Sequence, residues 1–146
     1  MTDALVTSAI HHWAPRLVAN GVSLTDFEEV TASLGSWNDW CAGWSARAAT
    51  HEQMGREALA HGKHLSAGEH LQRAGVYYHF AKFLFVHDLT PMKAAHMKAV
   101  ECRTLALPYL VPAGERCGSA ACRHATAFMC PSRICGMSCT NRKAAK

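Results

Sequence analysis

The chain has 146 residues, 49% of them hydrophobic and 18% charged, with 15 Lys+Arg against 11 Asp+Glu for a formal net charge of +4. That length holds one modest domain, and no apolar run approaches the ~20 residues of a membrane span, because His79 and Lys82 interrupt the best stretch. The start, Met1-Thr2-Asp3-Ala4-Leu5, has no basic n-region, so no secretory signal is expected; without export the seven Cys imply reduced thiols, and a cytoplasmic location is the expectation.

Start and stop signals divide residues 1–112 into about five helices. The first runs from Asp3 to Asn20 and stops at Gly21, which can take a left-handed conformation; Pro15 is expected to kink or divide it. Thr25-Asp26-Phe27-Glu28 reads as a capping box for a second helix ending near Gly35. Ser36 caps a third, with Asp39 near the positive end of its dipole and Gly62 as its stop.

Ser66-Ala67-Gly68-Glu69 reads as a further capping box, opening a fourth helix that extends to Val86. Leu71, Ala74, Tyr78, Ala81 and Phe85 keep a helical period through its aromatic end, and being apolar nearly all round it should be the central helix. Thr90-Pro91 opens a fifth, which Pro108 ends. Short connections favour antiparallel hairpins, so the expected fold class is all-α.

Residues 113–146 have a different character. Residues 1–112 carry a net charge of −1, while these 34 carry +5, five of the seven Cys and a single aromatic, Phe128. No helical or alternating apolar period lasts two turns there, so an irregular Cys- and Arg-rich tail is expected. Its Cys read as C-x4-C (Cys117, Cys122), C-x4-C (Cys130, Cys135) and Cys139, with His124 nearby. Structural zinc wants two close pairs around a shaped loop, and nothing apolar here shapes one; no metal or cofactor is expected. Nucleic acid is not an expected partner either, because phosphate-binding charge lacks aromatics for base stacking.

Within the helices, Trp37, Trp40, Trp44 and Ala48 share one face, as an aromatic wall for a ligand or, more economically, a packing seam. Gly43-Trp44-Ser45-Ala46-Arg47 fails the G-x-S-x-G elbow at its last position and places its Ser mid-helix. His51-Glu52 begins like H-E-x-x-H, but position 55 is Gly, so each His reads as a surface or hydrogen-bonded core residue. No catalytic constellation is present. Tyr78, His79 and Lys82 are the polar members of the aromatic stretch and are the candidate substrate-binding residues; alternatively they are polar tips bonding a buried helix to its neighbours.

Several segments carry a family likeness: His12-Trp13-Ala14-Pro15-Arg16, Leu24-Thr25-Asp26-Phe27-Glu28-Glu29-Val30, Trp37-Asn38-Asp39-Trp40-Cys41, Ser66-Ala67-Gly68-Glu69-His70-Leu71 and Tyr77-Tyr78-His79-Phe80-Ala81-Lys82-Phe83-Leu84-Phe85. Over about residues 11–116 the chain resembles the N-terminal helical region of α/β-hydrolases similar to 2,6-dihydroxypseudooxynicotine hydrolase. The resemblance implies a cap that packs over a separate catalytic core and helps enclose its substrate. That core would supply Ser, an acid and His for ester or carbon–carbon bond hydrolysis. Beyond Arg116 the likeness stops: no alternating strand, oxyanion glycines or elbow follows, so no catalytic residue carries over. The expectation is a truncated or frame-shifted cap segment, inactive alone, with apolar helix faces open to self-association. The alternative is a stand-alone tetratricopeptide-like interaction module with a zinc-binding Cys tail, although no ~34-residue repeat is visible.

Overall fold

The computed structural model describes residues 3–83, 85 and 87–114, and all the elements below lie in the unit Met1–Ala113. The chain forms α1 (Ala4–Ala19), α2 (Leu24–Ser33), α3 (Trp40–Ala60), α4 (His64–Lys82) and α5 (Leu89–Ala106). Single 3-10 turns lie between α2 and α3 (Trp37–Asp39) and after α5 (Leu107–Tyr109), and there is no strand among the described residues. None of the described helices is long and apolar enough to cross a membrane.

Local chemistry sets the helix ends. Asp3 caps α1 by accepting from Leu5 N at 2.9 Å, and its other oxygen accepts from Trp37 N at 2.8 Å, tying α1 to the entry of α3. Gly21 (φ 97°) and Gly62 (φ 69°) stop α1 and α3 in the left-handed region, where a Cβ would be strained. Asp39 accepts from both the backbone N and Oγ of Ser36 at 2.9 Å, fixing the turn before α3.

Four boundaries, and one expected break, differ from the sequence reading. α1 runs unbroken through Pro15; Pro15 and His11 are both exposed, so water can serve the carbonyl that loses its donor. α2 begins at Leu24, one residue before the expected cap, because the preceding Ser23 N donates to the Tyr77 hydroxyl at 3.0 Å. α4 begins at His64 without a side-chain cap, the tight turn at Gly62 having brought the chain round already. It ends at Lys82, where Phe83 turns extended (ψ 129°) and Phe85 is buried beyond it. At α5 the cap is Asp88, whose carboxylate accepts from Thr90 N at 3.0 Å, rather than Thr90.

α4 lies in the middle, antiparallel to α3 on one side and α5 on the other. Nine of its residues are buried, more than in any other helix. Against α3 it packs an aromatic seam. Trp40 donates from Nε1 to Phe80 O at 3.1 Å, and Trp44, fully buried, meets the Tyr77 ring edge-on at 5.8 Å. The Trp face is therefore a packing seam, with Trp37 stacked on Trp40 at its entrance.

Against α5 and the 3-10 turn that follows it, the contact is with main chain. A Cβ at Gly68 would lie 2.5 Å from Tyr109 O, and one at Gly75 would lie 3.4 Å from Ala99 O. Tyr109 O is main chain in a tight turn and cannot swing aside as a side-chain tip would. Gly68→Ala is expected to cost about 1–3 kcal/mol, the range for overpacking a filled contact. Denaturant unfolding by circular dichroism checks this, and a midpoint equal to that of the parent would show that the Leu107–Tyr109 turn gives way freely.

Candidate functional site

Because α3 and α5 both lie on α4, a cleft opens between them with α4 as its floor. Its volume is about 520 Å3, within the range that encloses a small molecule. Cys41, Tyr78, Phe85 and Ala95 are its buried residues, and Ala42, Ser45, Pro91 and Ala94 complete the walls. Both ends carry polar bridges. At one, His87 Nε2 meets Asn38 Oδ1 at 3.1 Å, linking the chain before α5 to the turn before α3.

The other end is an ion-pair cluster between α3 and α5. Glu52, 7% exposed, accepts through Oε1 from Lys98 Nζ at 3.0 Å and Arg56 Nη2 at 2.8 Å. Its Oε2 accepts from the Tyr78 hydroxyl at 3.0 Å, and Glu101 pairs with Arg56 and Lys98 at the rim. Desolvation opposes the Glu52 charge, but the hydrogen bonds from Lys98, Arg56 and Tyr78 outweigh it and hold the carboxyl below its ordinary value. Two cations face two anions, so the cluster adds no net charge to the cleft. Burial raises the Cys41 thiol, leaving it protonated beside the cavity.

Of the three candidate residues from the sequence, only Tyr78 lines this cleft. His79 projects elsewhere on α4, stacking on Phe83 (centroids 5.8 Å) and meeting Phe80 edge-on. Burial pushes it down to about 4, with the charges of Lys82 and His96 acting in the same direction, so it is neutral near pH 7. Lys82 is likewise lowered by burial. The structure thus gives the three residues two different surroundings. Cys41, Glu52 and Lys98 were not singled out from sequence as site residues; each needs the α3–α4–α5 arrangement to be seen.

A second polar network joins α2 to the same hairpin. The Tyr77 hydroxyl donates to Asp26 Oδ2 at 2.5 Å, His51 Nε2 lies 3.1 Å from that oxygen, and Arg47 bridges Asp26 and Glu29. His51 Nδ1 in turn faces His70 Nδ1 at 3.3 Å. His51 is thus a buried, hydrogen-bonded residue, the core one of the two roles the sequence left open for each His. Among the described residues no group of three or more His, Cys, Asp or Glu is placed to hold a metal ion; the tail Cys and His124 lie outside the described residues.

No family model, curated protein or solved structure matches this chain.

The Glu52 cluster makes a pH test. Its folded pKa lies below the unfolded value, so its stabilisation is present at neutral pH and lost as pH falls through the folded value, beneath the ordinary 4.5. Tyr78→Phe removes one of the bonds holding it down. The variant is expected to lose about 1–3 kcal/mol at neutral pH and to show a shallower acid loss than the parent. Urea titrations at neutral and acid pH measure both, and an unchanged acid slope would remove Tyr78 from the account.

Proposed function

We propose that the helical unit is a substrate-enclosing cap segment of an α/β-hydrolase-type enzyme of the ester- or carbon–carbon-cleaving class, and that these residues alone do not turn substrate over. One observation carries this reading. The stretches bearing the resemblance, 37–41 and 77–85, are far apart in sequence yet converge: Asn38, Cys41, Tyr78 and Phe85 all line the one cleft. A cap that shapes a substrate pocket needs such convergence, with an apolar floor and a few fixed polar groups. The 146 residues contain no G-x-S-x-G sequence to serve as a nucleophile elbow. Exposed Leu5, Leu24, Leu65, Leu89 and Met97 offer apolar surface for a core or for self-association.

In this reading, translation leaves the hydrolase frame near residue 116, where Cys and Arg rise and acids nearly vanish. Translating the coding DNA in its other two frames beyond that codon is expected to reveal strand-like sequence followed by an elbow; neither frame doing so ends the proposal. Purified chain is expected to show no carbon–carbon hydrolysis and no serine-dependent ester turnover.

A second reading, a helical interaction module, draws on the backbone-close packing of Gly68 and Gly75 against the α5 side of the hairpin, as helical arrays require. Metal analysis of protein prepared without added zinc separates the two. Stoichiometric zinc favours the module with a metal-bound Cys tail, and none favours the cap.

A further inference from the structure

The Asp26–His51–His70 line has a geometry that fixes protons. The ring centroids of His51 and His70 are 5.6 Å apart and the rings are within 22° of parallel. That separation is the 3.3 Å between their Nδ1 atoms plus one ring radius at each end. The two nitrogens therefore point at each other along a nearly straight line. Two ligands of one metal ion would aim their lone pairs at a third point instead, so the contact is a hydrogen bond with one proton between the rings.

Which ring holds that proton follows from the buried end. Asp26 already accepts from the Tyr77 hydroxyl and pairs with Arg47, and these bonds with His51 hold it ionised against desolvation. An ionised carboxylate only accepts, so His51 Nε2 carries a proton toward it. Burial lowers His51 and keeps the ring neutral, leaving its Nδ1 bare. The charged and titratable groups around it are Asp26 and Glu29 on α2, Arg47 on α3, and His70, Arg73 and Tyr77 on α4. The proton between the rings thus belongs to His70 Nδ1, and in the uncharged form of that ring the lone pair lies on Nε2. That nitrogen has no hydrogen-bond partner among the described residues, and half-buried His70 lines a second cavity of about 370 Å3 with Met54, His61, Lys63 and Ser66.

We propose that His70 Nε2 is an acyl-accepting nucleophile, positioned by His51 and Asp26 to react with small activated acyl donors. The Nε2 lone pair attacks the acyl carbon and the bond to the leaving group breaks, the leaving group departing with its electron pair. The His70 Nδ1 proton passes to His51 Nδ1, and the imidazolium formed there is balanced by ionised Asp26 through Nε2–H. His70 is left as a neutral acyl-imidazole, one per chain. His51 and Asp26 are positioning residues that never touch the donor. The assignment stands independently of the cap reading.

Two measurements on the full chain test it. Nitrogen-15 spectra of the wild-type imidazoles should show His70 with Nδ1 protonated and Nε2 bare, the reverse of the usual neutral tautomer; Nε2–H on His70 overturns the assignment. Diethyl pyrocarbonate, followed peptide by peptide by mass spectrometry, should modify His70 about tenfold faster than exposed His11 and His12, the low end of what orienting partners contribute to an imidazole. His51→Phe should remove that advantage, and His51→Gln, whose amide oxygen can accept from Nδ1–H, should restore part of it. Equal rates at His70, His11 and His12 in wild-type protein refute the proposal, and the tautomer spectrum decides it even if His51→Phe does not fold.

Discussion

α4 has to bury two sides at once, and its sequence places adjacent tyrosines where those sides meet. Successive residues on a helix point about 100° apart, so Tyr77 turns toward α2 and α3 while Tyr78 turns toward the cleft between α3 and α5. A buried phenol costs on the order of 1–3 kcal/mol if its hydroxyl is left unmade. Each therefore needs an acceptor, and in both cases it is a carboxylate, Asp26 for Tyr77 and Glu52 for Tyr78. Burial raises both phenols, and the carboxylates beside them add to it, so both remain protonated donors.

Each carboxylate then needs its own compensation, and this need accounts for the polar architecture of the unit. Glu52 recruits Lys98 and Arg56, which fastens α5 to α3 across the cleft. Asp26 recruits Arg47 and His51, which fastens α2 to α3. A single pair of hydroxyls on the middle helix thus organises contacts with three others. The cost of burying one Tyr is met by importing a charge, and the cost of that charge by importing its counterions. One buried donor, Trp44 Nε1, finds no hydrogen-bond partner among the described residues; the indole is held by apolar and aromatic contact alone.

Helix number, order and the central place of α4 were legible in the sequence because apolar period and glycine stops are local signals. Boundaries were less so. Ser23 precedes α2 because of Tyr77, 54 positions away, and no capping rule contains that bond. The networks were invisible one residue at a time: His51 looked like a failed metal motif, and nothing in the sequence set His70 beside it. Yet the hairpin supplies a rule. The α3–α4 partners Trp40 and Phe80, Trp44 and Tyr77, His51 and His70 have residue numbers that add to 120 or 121, one antiparallel register kept along this face. Once the pairs Trp40–Phe80 and Trp44–Tyr77 fix the register, His51 falls opposite His70 by arithmetic.

The same register explains why the candidate residues of the aromatic stretch parted company. Tyr78, His79 and Lys82 are close in sequence, but a helix gives neighbours different faces, and only three- and four-residue spacings share one. Tyr78 and Lys82 have that spacing, but Lys82 is the last residue of α4 and does not line the cleft. Cleft membership is decided by which residues of α3 and α5 stand opposite. Cys41 and Ser45 on one wall and Ala94, Ala95 and Lys98 on the other belong to segments with no common motif. A pocket made where two helices straddle a third is a property of their spacing, and its chemistry resides in residues that no contiguous pattern could have grouped.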